Sequence, residues 1–198
     1  MSNVPSEGQQ QNREHRRRGA SVPRRIPSRT LEAARAVVFV CSGNMVRSAF
    51  AELYARHKSL AEAELELMSL GTTYRNPDLH PRTHAALSTL GVSEAAVRAF
   101  RPRHIDDLDA PQRERLAAST TLVFGMTSGH LESLDSYPVS RQRFLLEELR
   151  GTCRSIPDPV LDPVSFEETF ARVRDCVDVL ASMRGAPDPS PATRTPSR

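Results

Sequence analysis

Lysine is almost missing from this chain. Lys58 is the only one among 27 basic residues, so nearly all positive charge is carried by arginine. With abundant alanine, that skew matches a GC-rich bacterial genome, and a bacterial origin is expected. Aromatic residues are also scarce, at 5%, so the core must be mainly aliphatic. It is modest, yet sufficient for a domain of about 150 residues. There are only three cysteines, Cys41, Cys153 and Cys176. So small and widely spaced a set excludes an even disulfide framework and the close pairs that hold a structural metal. Neither a metal nor a cofactor is expected, and the expected compartment is the reducing cytoplasm. No stretch approaches the roughly 18 apolar residues of a membrane-spanning helix, so no membrane association is expected. The Arg16-Arg17-Arg18 cluster is followed by no clean apolar segment, because Glu32 and Arg35 interrupt the candidate before Val37, and no export signal is read.

The net charge of +3 conceals a lopsided distribution. Arg13, Arg16, Arg17, Arg18, Arg24, Arg25 and Arg29 crowd the start of the chain among Ser, Pro, Gln and Gly, with no hydrophobic period. Such a run reads as a solvated arm rather than a nucleic-acid or membrane contact. Residues 1–33 are therefore expected to be a disordered Arg-rich tail and residues 185–198 a disordered Pro/Ser-rich tail. Residues 34–184 are expected to form one domain.

Within that domain, Ala36 to Val40 is a short continuous apolar run typical of a buried parallel strand. Helical spacing follows from Ser48 to about Leu60, and a second strand over Leu65 to Leu70. A helix over Pro81 to Leu90 has proline in its first turn and Gly91 at its end. Another helix is expected over Asp107 to Ala118, a third strand over Thr121 to Met126 and a short helix over Ser128 to Leu134. Arg143 to Leu149 fits either a strand or a helix. The final helix, Ser165 to Met183, carries Phe166, Phe170, Val173, Val177 and Leu180 on one face. Strands alternating with helices imply an α/β layered domain with a mostly parallel sheet. Ligands then bind beyond the carboxyl ends of the strands, which directs attention to the loop after the first strand.

That loop reads Cys41-Ser42-Gly43-Asn44-Met45-Val46-Arg47-Ser48. Cysteine, five residues and arginine form a weak pattern alone. Here the segment leaves a buried strand and enters a helix N-terminus, so its backbone N–H groups can curl around one point and cradle an anion. Gly43 and Asn44 are residue types that tolerate the left-handed angles such a curl requires. The same field favours Cys41 as a thiolate near neutral pH, and a thiolate can attack phosphorus in line to form a cysteinyl-phosphate. Arg47 has the planar fork that holds two equatorial phosphoryl oxygens, which lysine lacks. Ser48 could donate a hydrogen bond to the thiolate.

The run from Val37 through Cys41, Arg47 and Ser48 to Glu52 resembles the signature of low-molecular-weight protein tyrosine phosphatases. That family opens with a hydrophobic strand, Cys, a loop containing Gly-Asn, then Arg-Ser and a helix reaching Ala-Glu. The Gly-Lys-Ser/Thr of P-loop NTPases is missing. Ser69-Leu-Gly-Thr72 is similar to the family's second-strand end, where a serine supports the loop asparagine, here Asn44. Leu122 to His130 is similar to its third strand and following turn. Ile156-Pro157-Asp158-Pro159 resembles the loop that carries the general acid, with Asp162 of Asp162-Pro163 as the alternative acid. The likeness spans about residues 35–184. It implies a single three-layer domain with a central four-stranded parallel sheet, helices on both faces and the phosphate-binding loop after the first strand. It also implies hydrolysis of phosphomonoesters, above all protein phosphotyrosine, with Cys41, Arg47 and Asp158 catalytic. Ser42 to Val46, Ser48 and Ser69 would bind phosphate or support the loop.

The chain departs from the family at several points. Val46 stands where many members carry a second loop cysteine. Val160 and Leu161 replace two aromatics that line the aryl pocket, leaving Tyr74 as a candidate wall from another loop. Phe100 stands where a histidine is common. His57, His80, His84 and His104 read as surface or helix-face residues, and His130 receives no role. Two alternatives remain. One is a protein-arginine phosphatase, whose loop typically has Thr in place of Met45. The other is a phosphate-binding module with weak catalysis.

Overall fold

The computed structural model describes residues 26–60 and 65–185; most of both expected tails, residues 1–25 and 186–198, lies outside them. The first strand, β1 (Ala36–Cys41), is buried along its whole length, as a strand covered on both faces must be. With β3 (Thr121–Gly125) it forms the inner pair of a parallel sheet edged by β2 (Glu66–Gly71) and β4 (Arg143–Leu145), in the order β2-β1-β3-β4. Successive residues of a strand face opposite sides. Val37, Phe39, Leu67, Leu122 and Phe124 therefore belong to one core cluster, and Val38, Val40, Met68, Leu70 and Val123 to the other.

The helices divide between these two faces. Helix α2 (Arg47–His57) and the last helix, α7 (Phe166–Met183), cover the first, where Phe50 and Phe170 stack with ring centroids 4.6 Å apart. Helices α3 (Pro81–Thr89) and α4 (Glu94–Ala99) add Leu87 and Val97 to the same cluster. The second face is closed by Ile105, Leu108, Leu116 of α5 (Ala110–Ala117) and Leu134 beyond α6 (Ser128–Glu132).

Several local readings change in the structure. Residues 143–149 are both alternatives in turn: Arg143–Leu145 pairs with β3, and a 3₁₀ turn over Leu146–Arg150 ends at Gly151 with φ +72°. Helix α5 starts at Ala110, later than expected, because Asp109 and Gln112 form a capping box there. Helix α4 carries one buried apolar residue and had no periodicity to announce it.

The expected boundary at residue 34 falls inside packed chain. Ser28–Glu32 forms a helical turn, α1, with Ile26 and Leu31 in the core. Arg184, just beyond α7, donates to the carbonyls of Leu31, Glu32 and Ala34, satisfying the open end of that turn. Neither contact is visible in a segment whose composition is that of a tail. Replacing Leu31 by Ala is expected to cost about 2–5 kcal/mol of stability through lost burial and a residual cavity. Chemical denaturation measures this, and an unchanged midpoint would show that the segment adds nothing to the fold.

Candidate active site

Residues 42–46 leave β1 and turn directly into α2, and their shape follows from where the carbonyls go. The Ser42 carbonyl accepts from Thr73 and Tyr74 N–H at 2.9 and 3.0 Å. The Gly43 carbonyl accepts from Asn76 Nδ2 at 2.7 Å. Met45 accepts from His80 N–H and the Thr83 hydroxyl at 3.1 and 3.0 Å. With these acceptors turned outward, the N–H edges of the same peptides face inward around Cys41 Sγ, and Asn44 N–H lies 3.3 Å from that sulfur. Arg47 and Ser48 open α2 immediately behind, adding the positive end of a helix.

Asn44 takes the left-handed conformation, with φ +52°. Gly43 does not; a Cβ there would come within 2.6 Å of Asn76 Nδ2 and push that side chain off the Gly43 carbonyl. At Gly71 the neighbours are backbone atoms, which cannot swing aside as a side chain does. A Cβ on it would lie 3.1–3.2 Å from backbone atoms of Ser42, Gly43 and Asn44, so the end of β2 is the floor on which the loop rests.

A buried hydrogen-bond chain orients the sulfur. Asn44 Nδ2 donates to Ser48 Oγ at 2.9 Å and to Ser69 Oγ at 2.7 Å, while its Oδ1 accepts from Arg103 N–H at 2.7 Å. Ser69 in turn donates a hydrogen bond to Glu52 at 2.6 Å. Glu52 is buried and accepts from Arg56, with Arg103 3.6 Å away. Asn44 already fills an acceptor site on Ser48, whose hydroxyl lies 3.0 Å from Cys41 Sγ and 3.4 Å from the Leu70 carbonyl, so the sulfur and that carbonyl are the two acceptors within reach of its proton. Cys176 offers a contrast: it lies in the core, and burial foremost pushes its thiol up to about 12.

Arg47 is buried at 2% exposure. Its Nη1 donates to the Ile156 carbonyl at 2.9 Å and its Nη2 pairs with the Asp158 carboxylate. Its Nε is buried and has no partner among the described residues. The two candidate acids separate clearly. Asp158 lines the pocket with Cys41 and Arg47, whereas Asp162 turns its carboxylate onto Asp158 N–H at 2.7 Å and so closes the turn that presents Asp158.

The pocket above Cys41 has a volume of about 400 Å³. Ser42, Gly43, Met45 and Val46 line it, and Tyr74, Val160 and Leu161 stand on its rim, 55%, 47% and 70% exposed. Met45 also packs against the core, so it serves both sides. Phe100 is a core residue. His80 caps α3 and stacks on Phe166, and His84 meets Glu94. His104, expected on a surface, is buried beside Gly71 and accepts from Asp106 N–H. Among the described residues no group of three His, Cys, Asp or Glu side chains is placed to hold a metal.

Four residues that sequence reading left without a role meet at this site: Gly71, Asn76, Arg103 and His130. His130 is buried, with Nε2 3.0 Å from Ser42 Oγ. The signal for it was slight, a histidine shortly after a strand end on the ligand side of a parallel sheet.

A profile of the low molecular weight phosphotyrosine protein phosphatase family matches residues 36–183. The chain is 30% identical over 151 residues to the low molecular weight protein-tyrosine-phosphatase PtpB of Staphylococcus epidermidis, covering 73% of this chain and 95% of that protein. The crystal structure of a low molecular weight protein tyrosine phosphatase from T. tengcongensis is similar, with a TM-score of 0.60, 25% identity and coverage of 75% of this chain and 99% of that one. The YwlE arginine phosphatase from Geobacillus stearothermophilus shares the fold at a TM-score of 0.60 and 24% identity, covering 74% of this chain and 90% of that one.

Proposed function

The chain belongs to the low molecular weight phosphotyrosine protein phosphatase family, and from that premise we propose that it hydrolyses phosphomonoesters, protein phosphotyrosine first among them, through a cysteinyl-phosphate on Cys41. The observation that carries this reading is Cys41 Sγ within a loop whose carbonyls are bonded outward, with Arg47 and Asp158 lining the same pocket.

The steps follow from those positions. An arriving phosphoryl dianion competes with Asp158 for the Arg47 guanidinium and takes the inward N–H groups of the loop. The Cys41 thiolate, facing the Ser48 hydroxyl, attacks phosphorus in line. Displaced from Arg47, the Asp158 carboxylate takes a proton from solvent, and as the P–O bond breaks it gives that proton to the leaving oxygen. The resulting carboxylate then takes a proton from water, whose oxygen attacks phosphorus and expels the thiolate. Inorganic phosphate leaves, and the enzyme is restored. Asp162 acts on this sequence through the turn it closes. A reaction that needs Cys41 reduced fits a cytoplasmic location, and among the described residues no helix is long and apolar enough to cross a membrane.

Rim chemistry favours an aryl leaving group. Tyr74, Val160 and Leu161 offer apolar surface, and Met45 occupies the position where a smaller Thr would leave room for a phosphoarginine side chain. Phosphotyrosine peptides are expected to be cleaved faster than phosphoarginine peptides. Leu161→Tyr should lower KM for aryl phosphates by about two- to tenfold, the equivalent of one added aromatic contact. Met45→Thr should raise phosphoarginine turnover. Parallel assays on matched peptides test this, and faster cleavage of phosphoarginine by the unmodified enzyme would overturn the preference.

A further inference from the structure

We propose that the Ser42 hydroxyl is an additional side-chain donor to the bound phosphoryl group and that His130 is the positioning residue that aims it, an assignment that rests on the phosphatase reading above. Thr127 N–H donates to His130 Nδ1 at 3.1 Å, and the Thr127 hydroxyl lies 3.1 Å from the same nitrogen. A ring nitrogen that accepts from a backbone amide carries no proton, so neutral His130 keeps its proton on Nε2. Nε2 is 3.0 Å from Ser42 Oγ, which makes His130 the donor and Ser42 the acceptor.

That bond fills one lone pair of the Ser42 oxygen and leaves its own proton for another acceptor. Ser42 follows Cys41 directly and lines the pocket, so the acceptor of matching charge is a phosphoryl oxygen. The ring is fixed in place by its own helix start, since Thr127 Oγ1 accepts from His130 N–H at 3.3 Å in a capping box. Its protonation state is fixed as well: burial, helped by the nearby Arg47 cation, pushes the imidazole down to about 4, so the Nε2–H form persists near neutral pH. The sequence separation of the pair, 88 residues, explains why no local motif reports it.

The test measures competitive inhibition by inorganic phosphate, together with KM and kcat on p-nitrophenyl phosphate, for the full chain. Ser42→Ala is expected to weaken phosphate binding and raise KM by about tenfold, the scale of one hydrogen bond to a charged group, with a smaller change in kcat. His130→Ala should match it, and His130→Gln, which keeps an N–H donor, should recover most of the loss. In the Ser42→Ala background neither change at 130 should weaken binding further. Thermal melting of each variant separates affinity from folding. If Ser42→Ala binds phosphate as the wild type does, or His130→Ala weakens binding equally when Ser42 is already gone, the assignment fails and the phosphatase reading stands. A wild-type chain without phosphatase activity on aryl phosphates overturns that reading and the assignment together.

Discussion

Cys41→Ser is expected to lower turnover of an aryl phosphate by at least about 10⁴-fold, because a serine hydroxyl is a far weaker nucleophile and a far poorer leaving group than a thiolate. The substitution is nearly isosteric, and a serine oxygen can keep the contacts to Ser48 Oγ and Asn44 N–H that now hold the sulfur. What changes is ionisation. A thiol is intrinsically a far stronger acid than an alcohol, so a serine hydroxyl stays protonated. Fold and phosphate affinity should therefore persist while chemistry stops. Rapid-quench mass spectrometry should find a phosphoryl adduct on Cys41 in the wild type on the time scale of turnover. Retention of a tenth of the wild-type rate by Cys41→Ser would eliminate the cysteinyl-phosphate route.

Asp158→Asn is expected to slow hydrolysis by about 10²–10⁴-fold for poor leaving groups, and by much less for leaving groups that depart without a proton. The structure adds a second expectation. The Asp158 carboxylate now occupies Arg47 Nη2, so an uncharged amide there removes a competitor of the phosphoryl dianion. KM should hold or fall while kcat drops, a split that general loss of structure would not produce. Asp162→Asn should do far less, since an amide oxygen can still accept from Asp158 N–H and keep the turn closed. Measured rates in the reverse order would move the proton donor to Asp162.

Much of this site was legible because it is local. The proposed nucleophile, anion cradle, arginine and supporting serine lie within Cys41 to Ser48, and the geometry of a strand running through a tight loop into a helix assembles them without help from distant chain. The alternation of apolar strands and amphipathic helices was enough for an α/β sheet, because burial on both faces imposes its own pattern. Asn44 was legible as the left-handed residue of the loop.

The remainder was decided by tertiary structure, for a definite physical reason. Parallel strands are joined by crossovers, so the residues flanking the loop are set by strand order and register rather than by sequence distance. Pairing of Cys41 with Gly71 brings β2 beneath the loop, and pairing of Val40 with Gly125 brings the end of β3, and with it His130, to the other side. From the chain alone, Gly71 was part of a strand end with no role of its own, His130 a histidine without a role, and Asp162 a second candidate acid. Their parts became readable only once that register placed a glycine with little room for a Cβ under the loop, a buried ring beside Ser42 and a carboxylate on the Asp158 amide. Leu31 belongs with them: its local composition is that of a tail, and only the end of α7, with Arg184 reaching back to the carbonyls of α1, makes burying it favourable.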